Sequence, residues 1–427
     1  MEFRDLHRQY QALKADIDRE IKAVLDSARF INGPQVSELE QELAAYVGVK
    51  HCISCANGTD ALTMAMMTWG IDKGDAVFVP DFTFFSTGEI VSRAGATPVF
   101  VDVDFDTFNL SADALEDQIK QVLHEGRLRP SVVIAVDLFG LPADYRHIRK
   151  VCDQYGLLLL EDGAQGFGGS IGDQTACGFG DISVTSFFPS KPLGCYGDGG
   201  AVFTDSDEWA DVLRSIGVHG KGKDKYDNIR IGLNSRLDTV QAAVLKVKFR
   251  AFREYELNAV NQAADLYSDL LNEIDTLAAS PISVDTPGTA GSRKTVNPVV
   301  ITPTVPAEYR SAWAQYTIRL QNKIQRDALQ KFLNENGIPT TVFYAKPMHK
   351  QKAFSGIAPG ITNRSTIPGT LNTLGTPTEQ YDDDNDRYKN SIALADTVLS
   401  LPMHPYFESG EIEGIVKKIA IGVKHTT

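Results

Sequence analysis

The run Leu157-Leu158-Leu159-Leu160-Glu161-Asp162 is apolar without interruption and then ends in two carboxylates. A strand with one face in water alternates apolar and polar residues. This one does not, so it is buried on both faces. The segments Ala76–Val79, Thr97–Val103 and Val132–Leu138 read the same way. Between and around them lie stretches of helical periodicity at Thr59–Thr68, Ser86–Ala94, Ala112–His124 and Tyr145–Tyr155. Doubly buried strands alternating with helices predict an α/β fold, a mostly parallel central sheet covered by helices.

Two amphipathic helices are expected first, over residues 8–28 and 37–47, the second opened by a capping box of Ser37 and Glu40. Residues 1–250 form the large unit on this reading, and the helical stretch Thr239–Asn272 bridges into a smaller C-terminal α/β domain, 251–427. Within it, two stretches rich in Pro, Thr, Ser or Asp read as insertions, near 280–312 and 356–386. The acidic run Asp382-Asp383-Asp384-Asn385-Asp386 reads as solvated loop, since nothing holds its carboxylates convergent on a metal.

A chain of 427 residues with net charge -13 and no long basic run is a poor match for nucleic acid or an anionic membrane surface. No stretch is long and apolar enough to span a bilayer, and the first residues lack a secretory signal pattern. Five cysteines, an odd number, suit a reducing cytoplasm. Cys52 and Cys55 make a CxxC without a second pair at zinc spacing, so buried small residues are expected there, and no metal.

Lys191 is out of place by composition. It sits among Phe187, Phe188, Pro189, Pro192, Leu193 and glycines, where a solvated lysine has no reason to be. Desolvation favours the neutral amine, a nucleophile toward carbonyl carbon. Asp162, at the end of the buried strand, supplies an acid. An amine and an acid so placed are the two protein groups that pyridoxal 5'-phosphate needs.

Four further features fit that cofactor. Asn57-Gly58-Thr59 turns from a strand-like His51–Ser54 into a helix, and free N–H groups there suit a phosphate. Simple capping by Asn57 or Thr59 is the alternative. Ser186, five residues before Lys191, offers the phosphate another hydroxyl. Phe84 follows a strand end, where a ring can stack on a planar ligand or simply pack. Gln165 can reach a phenolic oxygen or start a helix after Gly163, and Asp162 can cap that helix. A rival motif, Gly166-Phe167-Gly168-Gly169-Ser170-Ile171-Gly172, is one residue too long for a dinucleotide loop and has no clear helix after it.

Taken together, Cys55-Ala56-Asn57-Gly58-Thr59-Asp60-Ala61, Glu161-Asp162-Gly163-Ala164-Gln165, Ser186–Lys191 and Gly232-Leu233-Asn234-Ser235-Arg236-Leu237-Asp238 resemble the DegT/StrS family of sugar aminotransferases. The resemblance implies the fold-type I, aspartate-aminotransferase-like architecture and a homodimer with shared active sites. It implies pyridoxal 5'-phosphate carried by Lys191 and cycling through pyridoxamine 5'-phosphate, with Asp162 at the ring nitrogen. Gln165 then sits near the phenolic oxygen and Phe84 on the ring. Gly58, Thr59 and Ser186 touch the phosphate, joined by Asn234 of the neighbouring subunit.

The Lys191 stretch and Ser400–Tyr406 are similar to the WbpE-type branch, which aminates UDP-2-acetamido-2-deoxy-3-oxo-glucuronate for bacterial surface polysaccharide, with glutamate as the implied donor. Phe343-Tyr344 stands where that branch leads us to expect His-Tyr. Arg236 is the expected partner of a substrate carboxylate, a structural ion pair at the dimer interface with Asp238 or another acid being the alternative. Tyr344 and His349 are expected to contact sugar and nucleotide, and Lys346 the diphosphate. The rivals are amination of a 4-keto or another 3-keto hexose nucleotide, a cofactor-binding regulatory protein without turnover, a dehydratase or epimerase-like enzyme, and a nicotinamide dehydrogenase.

Overall fold

The computed structural model describes residues 1–224, 226–278, 299–355 and 386–424. Helices α1 (Leu6–Ser27) and α2 (Pro34–Val47) come first, then β1 (His51–Cys55) and α3 (Gly58–Thr68). Next are β2 (Asp75–Pro80), α4 (Ser86–Arg93), β3 (Thr97–Val101), α5 (Ala112–Glu125), β4 (Arg129–Val136), α6 (Tyr145–Tyr155) and β5 (Leu158–Asp162). A hairpin of β6 (Ser170–Ile171) and β7 (Gln174–Thr175) precedes β8 (Ile182–Ser186), β9 (Gly200–Thr204) and α7 (Asp207–Ile216). Helix α8 (Thr239–Ala251) passes through a π-helical turn at Phe252–Glu256 into α9 (Leu257–Ala278). The remainder runs β10 (Val300–Ile301), β11 (Tyr309–Arg310), β12 (Tyr316–Leu320), α10 (Lys323–Glu335), α11 (Lys389–Thr397), β13 (Val398–Leu401) and α12 (Glu411–Lys424).

Seven strands form one sheet in the order β1-β9-β8-β5-β4-β2-β3. The pairs from β3 across to β8 are parallel, whereas β9 is antiparallel to both β8 and β1. Six strands therefore point one way. Their C-terminal ends, together with the N-terminal end of β9, line a single edge, the edge at which open α/β sheets bind ligands. The strands of this sheet are as apolar as the sequence requires: Val132 to Ala135 on β4 and Leu159 to Glu161 on β5 are fully buried.

A second sheet, β10-β12-β13, is antiparallel. One continuous apolar cluster joins it to the large sheet, running from Leu39 and Leu43 through Phe203, Leu245, Phe249 and Tyr267 to Ile318 and Leu399. Side chains of Asn57, Ser111, Asp144, Ser206 and Asn322 cap the helices they precede.

Three expectations need correction. Helix α2 starts at Pro34, not Ser37, because proline fits the first helical position. Ser37 then lies inside the helix, and Glu40 instead accepts from Ser54 N and Oγ at 2.8 and 2.7 Å. No helix follows Gly163: Gly166 and Phe167 bond back to Gly163 in a tight turn that leads into β6. The glycines of 166–172 serve packing, since a Cβ on Gly166 would stand 2.1 Å from Asp137 Oδ2 and one on Gly168 2.4 Å from Phe252.

Of the two insertions, 279–298 and 356–385 lie outside the described residues, as does all of the acidic run except Asp386. Residues 299–313 hold the short strands β10 and β11. All five cysteines are buried and free.

Candidate functional site

The candidate residues gather at the ligand edge of the large sheet. Strand β5 delivers Asp162, which is 4% exposed. Its Oδ2 accepts from Thr87 Oγ1 at 3.1 Å and its Oδ1 from Ala164 N at 3.2 Å. Burial pushes this carboxyl above the usual carboxylate range, and the Lys191 amine pulls it back. Lys191 lies on the loop joining β8 to β9. That loop is folded on itself: Lys191 N donates to Phe188 O, Cys195 N to Phe187 O, and Phe187 N to Gly199 O. A Cβ at Gly194 would stand 2.5 Å from Pro189 O, so the return of the chain demands glycine. Burial lowers the Lys191 amine, Asp162 raises it, and Arg4 lowers it again. No hydrogen bond from the amine occurs among the described residues. The amine thus senses the acid electrostatically without being spent on a hydrogen bond among the described residues.

Beside them, α3 begins against the end of β8. Asn57 Oδ1 caps Asp60 N at 2.8 Å, so the capping alternative holds for Asn57 and leaves the N–H groups of Gly58 and Thr59 outside that bond. A Cβ on Gly58 would approach Ser186 Cβ to 2.8 Å and Oγ to 3.2 Å. Glycine alone lets the Ser186 hydroxyl meet the helix start. Gly200, opening β9, is likewise forced, because its Cβ would lie 2.6 Å from Asn57 C. Gly58 and Ser186 stand together at the start of α3, with Thr59 next in the chain, an arrangement that suits an anion.

The loop after β2 presents Phe84, 53% exposed and tilted against Tyr344 at 6.3 Å between ring centroids. Gln165 spans two segments: its Oε1 accepts from Phe139 N at 2.9 Å and its Nε2 donates to Tyr344 OH at 3.2 Å. One Nε2 hydrogen remains. Tyr344 therefore belongs to this cluster. His349 is anchored on Asp81, with Nδ1 2.6 Å from Asp81 Oδ2 and its N donating to Asp81 Oδ1 at 2.8 Å, and its ring is stacked on Tyr388 at 4.4 Å. Lys346 is exposed and makes no ion pair among the described residues.

Two predicted residues are not brought to this cluster. Arg236 donates to Asn234 Oδ1 at 2.6 Å and has no ion pair with Asp238. Arg236 faces a separate cleft of about 330 Å³ shared with Glu40, Ser54 and Arg214. The connection to the cofactor edge is through Ser235, whose hydroxyl accepts from Ala56 N at 3.0 Å. Sequence reading missed Thr87, the donor to Asp162, and Arg4, whose NH2 reaches Pro192 O at 3.1 Å. Both act across long sequence separations and carry no local signature.

Pyridoxal phosphate fits these residues on structural grounds. The helix start at Gly58, where a Cβ would collide with Ser186, has N–H and hydroxyl donors of the kind a phosphate monoester needs, and the chain also holds an unspent amine and a buried acid. Fold and site together define a fold-type I pyridoxal phosphate enzyme. The pattern of the DegT/DnrJ/EryC1/StrS aminotransferase family matches residues 11–368, and the chain belongs to that family.

The chain is 38% identical, over 97% of its length and 98% of the other's, to the UDP-2-acetamido-2-deoxy-3-oxo-D-glucuronate aminotransferase of Pseudomonas aeruginosa. It is 36% identical, over 99% of its length and 98% of the other's, to a pleiotropic regulatory protein of Geobacillus stearothermophilus. The crystal structure of a DegT DnrJ EryC1 StrS aminotransferase from Brucella abortus is similar with TM-score 0.83, 42% identity and 98% of each chain covered.

Proposed function

We propose that this chain moves an amino group from glutamate to UDP-2-acetamido-2-deoxy-3-oxo-glucuronate, in the cytoplasm, for surface polysaccharide synthesis. The observation that carries the sugar is the end-to-end similarity to the Pseudomonas 3-oxo-glucuronate aminotransferase. The reaction class rests on the Lys191–Asp162 pair beside the Gly58–Ser186 cradle. On this reading residues 1–250 hold the cofactor and 251–427 form the smaller unit. Two subunits share their sites, with Asn234 reaching the partner's phosphate and Arg236 a substrate carboxylate.

Bound in this site, the cofactor supplies a protonated pyridine ring that accepts the electrons of a breaking bond. Asp162 holds the proton on the ring nitrogen. Lys191 Nζ takes the proton from the donor's alpha carbon and later delivers one to the sugar carbon that receives nitrogen. Gln165 gives its second Nε2 hydrogen to the phenolic oxygen, and Phe84 covers the ring. Gly58, Thr59 and Ser186 hold the phosphate. A Gly58→Ala chain should lose roughly tenfold or more in cofactor affinity, since overpacking costs ~1–3 kcal/mol. Fluorescence titration of the apoprotein measures it, and unchanged affinity would remove the cradle from the phosphate site.

The deciding experiment offers glutamate-treated enzyme the 3-keto uronate nucleotide and a 4-keto hexose nucleotide in parallel. The 3-keto uronate should restore the original spectrum and give a 3-amino product by NMR. Amination of the 4-keto sugar alone overturns the choice of sugar. A second reading, regulation without turnover, draws on the similarity to the pleiotropic regulatory protein. It predicts that neither nucleotide is aminated.

A further inference from the structure

Arg4 lies on the segment leading into α1, and that segment is tied down from several sides. Met403 N donates to Phe3 O at 3.0 Å, the Phe3 and Phe343 rings meet edge-on at 6.1 Å, and Asp5 caps α1 through Arg8 N. The guanidinium is therefore delivered to the loop that carries Lys191, where its NH2 donates to Pro192 O at 3.1 Å. A guanidinium has five donors. This one makes a single hydrogen bond and no ion pair among the described residues. Arg8, one turn further on, shows the contrast: its NH1 and NH2 grip Glu411 at 2.7 and 3.1 Å, and its NH1 also reaches Tyr406 O.

The acid that acts on Arg4 is Glu256, in the π-helical turn. Glu256 is already engaged, accepting from Gln9 Nε2 at 2.9 Å and Tyr406 OH at 2.6 Å, and it lies beyond ion-pair distance of Arg4. Lys248, buried at 1% exposure, adds another cation. Arg4, Lys191 and Lys248 thus face Asp162 and Glu256, leaving positive charge in excess. Burial holds the Arg4 guanidinium down to about 10, and Glu256 pulls it back up.

We propose that Arg4 is a substrate-binding residue that takes a carboxylate in bidentate contact beside Lys191. The planar fork and the unspent donors match a carboxylate better than any neutral group. This rests on the aminotransferase reading, in which two substrates carry such a group: the amino-acid donor and the sugar acid.

Calorimetry on the cofactor-loaded protein separates the two sources with probes that cannot react. Glutarate stands for the donor, UDP-glucuronate for the sugar acid, and UDP-glucose is the uncharged-sugar control. In Arg4→Gln the affinity for one or both acids should fall about 10- to 100-fold, with UDP-glucose binding and the visible absorption band unchanged. Arg4→Lys keeps the charge without the fork and should lose several-fold. It also carries the test if the Gln variant is insoluble. Loss confined to glutarate assigns the donor, and loss confined to UDP-glucuronate assigns the sugar. Acids that bind both variants as tightly as wild type overturn the proposal and leave Arg4 a tether for the N-terminal segment. A wild type that binds glutarate but no UDP-sugar overturns the sugar reading alone. A wild type that binds none of the probes overturns both.

Discussion

Lys191→Arg protein should purify without the visible absorption of the wild type and take up no label on borohydride reduction. Wild-type protein treated the same way should lose its visible band and carry the label on Lys191. The substitution keeps charge and length, so it isolates the one property that matters, the ability to lose a proton. Arginine stays charged at any working pH. Burial already lowers the Lys191 amine, so a fraction of it is neutral and nucleophilic where a solvated lysine would be wholly charged. Removing that amine takes away both the attachment point and the group that moves the proton, and a positioned general acid–base alone is worth ~10²–10⁴ in rate. Turnover should fall by at least ~10³-fold, while the thermal midpoint of the apoprotein changes little, because Lys191 Nζ makes no hydrogen bond among the described residues. Colourless Lys191→Arg protein that still turned over at the wild-type rate would end the mechanism.

What the sequence made legible follows a physical divide. Period and burial are local, so the strands of the large sheet could be read from Leu157–Asp162 and its counterparts, and the strand ends then pointed to one edge. Lys191 was legible because its neighbours are wrong for a solvated amine. The close approach of Gly58 to Ser186 joins residues far apart in sequence, and only motif order suggested it. Arg4 was invisible for the opposite reason. It precedes an ordinary amphipathic helix, and its position beside Lys191 depends on a backbone bond from Met403 to Phe3 and a side-chain bond from Arg4 to Pro192. The capping box failed because Pro34 is a better helix start than Ser37, and Glu40 found a stronger use holding Ser54. For Asn234 and Arg236, pattern gave residue identity but no geometry. Among the described residues their side chains bond only to each other, so the proposed contacts with a second subunit have no counterpart within one chain.

Asp162→Asn should separate stability from function, improving the first while damaging the second. Burial raises the Asp162 carboxyl above the ordinary aspartate value of about 3.9 in the folded chain. Between that value and the raised one the folded protein holds more proton than the unfolded chain, so this group's contribution to stability falls as pH rises. Asparagine removes the titration and can still bond Thr87 and Ala164 N. The apoprotein midpoint of the variant should therefore exceed that of the wild type at neutral pH, and the gap should close as pH falls toward 4. Function moves the other way. A neutral amide cannot keep a proton on the ring nitrogen, and Lys191 loses the charge that raises its amine. Losing one preorganised electrostatic contact of this kind costs roughly 10²- to 10³-fold in rate, and that is the loss expected in the half-reaction with glutamate. Stopped-flow absorbance follows that half-reaction, and differential scanning calorimetry at several pH values follows the midpoint. A variant that is less stable than wild type at pH 7 and keeps its full rate would show that Asp162 is a structural acid, bound to Thr87 and Ala164 for the sake of the turn.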